Sequence, residues 1–101
     1  MNFEAMLENA AAAADLLKNL ANDRRLMILC ELLQGERSVG ELEKTVGLSQ
    51  SALSQHLAKL RHNNLVKTRR DSQVIFYSLA DPNVARLLGV LHDIYCAPTK
   101  A

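Results

Sequence analysis

The chain lacks the features that would place it in several large classes of protein. Its 101 residues contain no apolar run long enough to cross a membrane, because the alanine stretch 10–14 is short and lies between Glu8 and Asp15. Its start does not resemble a signal peptide. No phosphate-binding loop, paired nucleophile and base, internal repeat or linker is visible. We therefore expect a single cytoplasmic domain, residues 1–101, that contacts no membrane and is not an enzyme.

What the chain does contain is a pair of short amphipathic segments between residues 38 and 62. Ser38, with Glu41 three residues later, forms a capping box for the first segment. Gly47 provides the permissive backbone of a tight turn, and Ser49 caps the second segment. Apolar side chains recur at helical spacing in both segments: Leu42, Val46, Leu53, Leu57 and Leu60. The pattern predicts a helix-turn-helix.

The outer face of the second segment carries short hydrogen-bonding side chains, which suit a helix that enters the DNA major groove. We predict that this helix contacts bases through Gln50, Ser51, Ser54, Gln55 and His56. We expect phosphates to be contacted by Ser49, Lys59, Lys67, Arg69 and Arg70.

A β-hairpin is predicted directly after the helix-turn-helix, over residues 65–79. Two runs of β-forming residues flank the polar pair Asp71-Ser72, and Asn63 and Asn64 tolerate the left-handed backbone that ends the preceding helix. Residues 49–79 carry five Lys and Arg against one Asp, a net charge of +4, whereas the remainder of the chain carries −3. Positive charge is thus concentrated on the predicted hairpin and recognition helix, which favours double-stranded DNA as a partner.

Amphipathic helices are predicted at both ends of the chain, over residues 3–20 and 83–96, with Pro82 suited to the start of the second. Together they offer more apolar surface than one small protomer can bury. We therefore predict a homodimer that pairs through its N- and C-terminal helices and binds an imperfect palindromic operator. The predicted fold class is mostly α with a small β-hairpin, a winged helix-turn-helix.

The order of these elements resembles the ArsR/SmtB family of bacterial dimeric winged-helix repressors. Three segments carry the resemblance, at residues 20–29, 49–57 and 74–77, and it extends over essentially the whole chain. It implies a transcriptional repressor whose operator binding is controlled by a ligand or by a chemical state of the dimer.

The metal-sensing members of that family use residues that this chain does not supply in full. Arsenic, lead and cadmium sensors resemble one another in a Cys-x-Cys type motif on the first helix of the helix-turn-helix, where residues 39–44 contain no cysteine. The zinc and nickel branch needs spaced ligands along the last helix, where His92, Asp93 and Asp81 do not complete a tetrahedral set. We expect no metal or other cofactor, and we interpret His92 as a surface or interface residue.

The two cysteines are expected to be reduced at rest, because the cytoplasm keeps thiols reduced. From the residues alone, Cys30 also fits a small buried apolar side chain, and Cys96 lies near a terminus that reagents can reach. Their positions, after Arg24-Arg25 and at the end of the last helix, resemble the persulfide-sensing branch of the family, the BigR/SqrR/HlyU type. The resemblance implies a thiol switch in which a Cys30–Cys96 bridge, formed by reactive sulfur species, releases the operator.

The expected bridge need not be a simple disulfide. A disulfide requires Cα atoms within about 7 Å, and each inserted sulfur adds roughly 2 Å, so a tri- or tetrasulfide can span a wider gap. We expect Arg24, Arg25 or a helix end to lower the pKa of the attacking thiol. Two alternatives remain open: an antirepressor or activator of the HlyU type, and a metal-responsive repressor of the ArsR type.

Overall fold

The structure, a computed structural model, describes residues 1–96 as five helices and three strands. The helices are α1 (Phe3–Leu20), α2 (Asp23–Leu33), α3 (Val39–Val46), α4 (Gln50–His62) and α5 (Pro82–Cys96). The strands are β1 (Arg37–Ser38), β2 (Val66–Asp71) and β3 (Val74–Leu79), and they form one antiparallel sheet in the order β1-β3-β2. This arrangement confirms the predicted winged helix-turn-helix. No helix within the described residues is long and apolar enough to cross a membrane.

The helix-turn-helix forms as its capping residues predict. The Ser38 hydroxyl accepts a hydrogen bond from the Glu41 backbone N–H at 3.2 Å, and the Glu41 carboxylate accepts one from the Ser38 N–H at 2.9 Å. Gly47 ends α3 in the left-handed conformation with φ 73°, and the Ser49 hydroxyl caps α4. These local bonds satisfy backbone groups that would otherwise be unpaired at the helix ends. The predicted turn between α3 and α4 is therefore confirmed.

The core is one buried cluster to which α2, α3, α4 and the first half of α5 all contribute. Its fully buried side chains come from all four helices: Ile28, Leu29, Leu42, Leu53, Leu57, Leu60, Val84 and Leu88. Every apolar position predicted for the two motif helices is buried in it. The core thus fixes α4 with its opposite face free.

The wing differs from its predicted form in two details. Asp71 pairs with Val74 as the last rung of the ladder, so the connecting loop is Ser72–Gln73 and the predicted turn pair Asp71-Ser72 is wrong by one residue. The cross-strand pairing decides which residues form the turn, because only Ser72 and Gln73 remain between Asp71 and Val74. Ser72 adopts φ 57°, as the first residue of such a two-residue loop. The third strand, β1, pairs with β3 but spans only two residues, which is too short for an alternating pattern in the sequence.

Candidate nucleic-acid interface and thiol pair

The face of α4 opposite the core is polar and exposed. Gln50, Ser51, Ser54 and Gln55 are exposed, as predicted for side chains that contact bases. His56 is half-buried, because it lies nearer the core side of the helix. The structure therefore places four of the five predicted base-contact residues on one accessible surface.

The residues predicted to hold phosphates are divided between the two ends of α4 and the wing. Ser49 is exposed at the start of α4, where its hydroxyl accepts a hydrogen bond from the Ala52 N–H at 3.2 Å. Lys59 is exposed near the other end and lines a shallow cleft with Lys18 and Asn63, beside the end of α1. Both can approach a DNA backbone that flanks the exposed face of α4.

An open cleft separates α4 from the wing. Tyr77 of β3 and Ser54 of α4 line this cleft, together with Gln50 and the loop residue Gln73. Tyr77 and Ser54 also border an adjoining cleft that reaches Arg61 at the end of α4. The sequence singled out Tyr77 only within a β-rich run, and its place across the cleft from Ser54 depends on how the wing sits beside α4.

The wing cations are split between the two faces of the hairpin. Paired residues of antiparallel strands project to the same face. Arg70 pairs with Ile75, on the face that also carries Tyr77 and packs toward the core, whereas Arg69 pairs with Phe76 on the opposite face. Lys67, two residues before Arg69, shares that opposite face.

Arg69 is already engaged within the protein. Its Nε and Nη2 atoms donate to the two carboxylate oxygens of Glu36 at 3.0 and 2.6 Å, and its guanidinium lies 4.6 Å from the centre of the Phe76 ring. The hydrogen bonds lower the pKa of Glu36 and raise the pKa of Arg69, so both groups remain charged. Sequence analysis missed Glu36, which lies 33 residues away from Arg69.

The two thiols lie on different helices that contact each other. Cys30 of α2 is half-buried against the core, and Cys96 is exposed at the last residue of α5. Burial raises the pKa of the Cys30 thiol above its ordinary value of 9.0, and the neighbouring Cys96 raises it further. The two cysteines therefore lie on neighbouring helices, with one thiol half-buried and the other exposed.

The expected activation of the thiol by the basic pair is wrong for Cys30, whose pKa is raised rather than lowered. The Arg24 guanidinium donates to the Val46 carbonyl at 3.2 Å. Arg25 donates through Nε to the Asn19 carbonyl at 2.9 Å and through Nη2 to the Lys18 carbonyl at 3.1 Å. Both guanidinium groups thus cap the carboxyl ends of neighbouring helices.

A buried amide links the end of α1 to the end of α4. Asn19 is 8% exposed, and its side chain accepts a hydrogen bond from the Asn63 amide at 2.9 Å and donates to the Asp15 carbonyl at 3.0 Å. Asn63 is the C-cap of α4. No local pattern in the sequence marks this contact, because the two residues are 44 positions apart.

The terminal helices leave a broad apolar surface uncovered. The exposed side chains on them are Phe3, Met6, Leu7, Leu17, Val90, Ile94 and Tyr95. Such a surface is typical of an interface with another chain. Within residues 1–96, no group of three His, Cys, Asp or Glu side chains is arranged to hold a metal ion.

Comparison with known proteins identifies the family. Residues 22–68 match the profile of bacterial regulatory proteins of the arsR family. The chain is 53% identical over 96 residues to the transcriptional activator HlyU of Vibrio cholerae, a match that covers 95% of this chain and 89% of that protein. The chain belongs to the ArsR family. Members of this family are transcriptional regulators, which confirms that the protein is not an enzyme.

Solved structures of ArsR-family proteins share the fold. The chain is 45% identical to the repressor BigR of Xylella fastidiosa, with a TM-score of 0.91 over 97% of this chain and all of that one. Reduced HlyU of V. cholerae superposes with a TM-score of 0.87 at 53% identity, over 92% of this chain and 98% of that one. A homodimeric winged helix-turn-helix DNA-binding domain from Mycobacterium bovis superposes with a TM-score of 0.72 at 34% identity, over 93% of this chain and 85% of that one. This chain is accordingly a DNA-binding transcriptional regulator of the ArsR family.

Proposed function

We propose that this ArsR-family regulator is a homodimeric repressor that binds a palindromic operator and releases it when reactive sulfur bridges Cys30 and Cys96. The placement of the two free thiols on two contacting helices, α2 and α5, carries the proposal. One of those helices, α5, also presents exposed Val90 and Ile94 for dimer formation. A bond between the thiols would therefore act on the element that sets the geometry of the dimer.

Base recognition in this proposal belongs to the exposed face of α4. The contributing residues are Gln50, Ser51, Ser54 and Gln55, with half-buried His56 at the edge. Phosphates are contacted by Ser49, Lys59, Lys67 and Arg70. Arg69 belongs to the same predicted set, but its guanidinium is paired with Glu36 in this structure. The net charge of +4 over residues 49–79 supplies the electrostatic attraction to DNA.

The homodimer follows from the uncovered apolar surface of α1 and α5. A two-fold pair buries that surface and presents two α4 helices to successive major grooves, which matches a palindromic operator. The likeness to the homodimeric domain from M. bovis supports this arrangement.

The chemistry of the switch needs a persulfide such as glutathione persulfide as the oxidant. Each cysteine thiolate takes the terminal sulfur of one glutathione persulfide, and glutathione leaves as its thiol. The terminal sulfur of one protein persulfide then attacks the inner sulfur of the other, and hydrosulfide leaves. A trisulfide joins Cys30 to Cys96, and its third sulfur lengthens the link by roughly 2 Å relative to a disulfide.

The bridge would tie α2, in the core, to the end of the dimer helix α5. Movement of α5 changes the distance between the two α4 helices, and an altered spacing no longer fits adjacent grooves. A coupling free energy of about 1–3 kcal/mol is typical of allosteric control and is enough for release.

The test combines mass spectrometry with operator binding. Protein treated with glutathione persulfide should yield a Cys30–Cys96 peptide pair heavier than the disulfide by one or two sulfur atoms, and should release the operator. Cys30→Ser and Cys96→Ser should each bind DNA normally and lose the response. Peroxide and zinc serve as parallel treatments, and neither should release DNA. A single-cysteine variant that remains fully inducible would contradict the two-thiol mechanism, and release by stoichiometric zinc would favour a metal sensor.

Activation is the second candidate outcome of operator binding, and the 53% identity to a protein described as a transcriptional activator favours keeping it. An activator of this type would displace a silencing protein through the same α4 surface. In vitro transcription from naked operator DNA separates the two: a repressor lowers transcript yield, whereas an antirepressor has an effect only when the silencer is present.

A further inference from the structure

The Arg69 side chain forms a strap across the sheet of the wing. It starts on β2, passes over the ring of Phe76 on the central strand β3, and ends at Glu36, directly before β1. Both guanidinium–carboxylate contacts are short, at 3.0 and 2.6 Å, and their bidentate geometry is the strongest that an arginine forms with a carboxylate.

The backbone of Glu36 is held by its neighbours in the chain. Arg37 donates to the Glu36 carbonyl at 3.0 Å and to the Glu31 carboxylate at 3.3 Å, which fixes the backbone on one side. Gly35 precedes it with φ +142°, a conformation that L side chains rarely adopt. Glu36 is therefore placed to meet Arg69.

The strap lies on the face of the wing that points away from the α4 cleft. Arg69 shares this face with Phe76, whereas Tyr77 and Arg70 belong to the face toward α4 and the core. Leaving Glu36 for a phosphate would exchange one set of charge-assisted bonds for another and would give up the stacking of Arg69 on Phe76. It would also leave an unpaired carboxylate next to the DNA polyanion.

We propose that Glu36 is a built-in substitute for a DNA phosphate: it neutralises Arg69 and so limits the number of phosphates that each wing contacts. This inference rests on the DNA binding proposed above. Phosphate contacts set both the overall affinity for DNA and its dependence on salt, because each contact releases condensed counterions. By withholding one cation per protomer, Glu36 keeps operator binding weak enough for a modest allosteric coupling to reverse it.

The test measures binding to a random-sequence duplex over a salt series from about 50 to 200 mM, where counterion release dominates. Glu36→Gln should free Arg69 and steepen the slope of log K against log salt by about 2 per dimer. Over that range, its affinity should fall about twelvefold more than that of the wild type. Arg69→Gln alone should leave the wild-type slope unchanged, and the double variant should return to it.

Two control variants calibrate this measurement. Lys67→Gln removes a cation from the same face of β2, where no acidic partner is paired with it among the described residues, and should flatten the slope by about 2 per dimer. Glu43→Gln removes a carboxylate from α3 that forms no ion pair within residues 1–96, and should leave the slope unchanged.

Two results would overturn the inference. One is an Arg69→Gln slope as flat as that of Lys67→Gln, which would mean that Arg69 leaves Glu36 to contact phosphate. The other is an unchanged slope for Glu36→Gln. An NMR titration without DNA should show the lowered pKa of Glu36 rising toward its ordinary value in Arg69→Gln, where Lys67 still lowers it. If the wild-type protein does not bind DNA, the proposed function is wrong as well. If the wild type binds DNA and either of the two results above is found, only this inference is wrong.

Discussion

The middle of the molecule and its two ends use the same helical periodicity with opposite results. In α4 the apolar positions Leu53, Leu57 and Leu60 are at most 1% exposed, and the outward positions carry short polar side chains. In α1 and α5, apolar side chains point outward as well, and Phe3 and Tyr95 are 67% and 80% exposed. The middle buries its apolar side chains within one protomer, whereas the ends leave theirs exposed.

This difference separates two energetic roles. Burial of the leucines in α4 stabilises the fold of each protomer, because their apolar area is removed from water within a single chain. The exposed apolar residues of α1 and α5 contribute only when a second copy covers them. Substitutions in the two regions should therefore be detected by different measurements.

The largest expected effect comes from the middle. Leu57→Ala should lower the free energy of unfolding by about 2–5 kcal/mol, because it leaves a cavity in a core that is packed on all sides. Leu17→Ala is the matched control, since the same truncation at a position 58% exposed should change the stability of the isolated protomer by less than about 0.5 kcal/mol. Urea unfolding at protein concentrations below the dissociation constant of the dimer measures the change in stability of both variants. Equal losses would erase the distinction between the two regions.

The next effect comes from the ends. Ile94→Asp should place a carboxylate in the apolar surface of α5 and convert the dimer to a monomer. Operator binding should then weaken by at least about tenfold, because the two DNA-binding units are no longer linked and bind their half-sites independently. Analytical ultracentrifugation and operator titration are the measurements. Asp93→Asn, at the adjacent exposed position, is the control and should stay dimeric. A fully dimeric Ile94→Asp protein would show that α5 is not the interface.

A smaller effect is expected where the two regions meet. Asn19→Ala removes the amide that joins the end of α1 to the C-cap of α4, and should cost about 1 kcal/mol in unfolding free energy. Asn9 also donates to the carbonyl four residues earlier, at 2.8 Å, but it is exposed on α1. Asn9→Ala should therefore be close to neutral. If both variants behave alike in denaturant, the Asn19–Asn63 contact adds nothing.

The smallest expected effect is a pH dependence located in the middle. Hydrogen bonds from Arg69 and from Ser38 lower the pKa values of Glu36 and Glu41 below 4.5 in the folded protein. Their contribution to stability is therefore full above about pH 4.5 and is lost as the pH falls through the lowered values. The urea midpoint of the wild type should decline in that window. The midpoint of Glu36→Gln with Glu41→Gln should decline less steeply there.

The sequence predicted most of the fold because its signals are local. A capping box at Ser38, a left-handed turn at Gly47 and leucines at three- and four-residue spacing each depend on neighbours within a few positions. The polar face of α4 follows from the same spacing, so helical periodicity alone assigns its outward side chains to an accessible surface: Gln50, Ser51, Ser54 and Gln55. The two-residue strand β1 was missed, because its backbone bonds join residues far apart in the chain. The hairpin turn was misplaced by one residue, because Asp71 and Ser72 both suit a turn and only the pairing of Asp71 with Val74 decides where the strand ends.

The sequence by itself determined the helix-turn-helix, the uneven distribution of charge and the amphipathic ends, since these are properties of composition and period. Only the tertiary structure decided the partners of individual charged side chains. In the folded chain Arg69 forms an ion pair with Glu36. Arg24 and Arg25 donate to backbone carbonyls at helix ends and not to the Cys30 thiol. The physical reason is that hydrogen bonds and ion pairs act over about 3 Å, and packing alone brings residues distant in sequence to that distance.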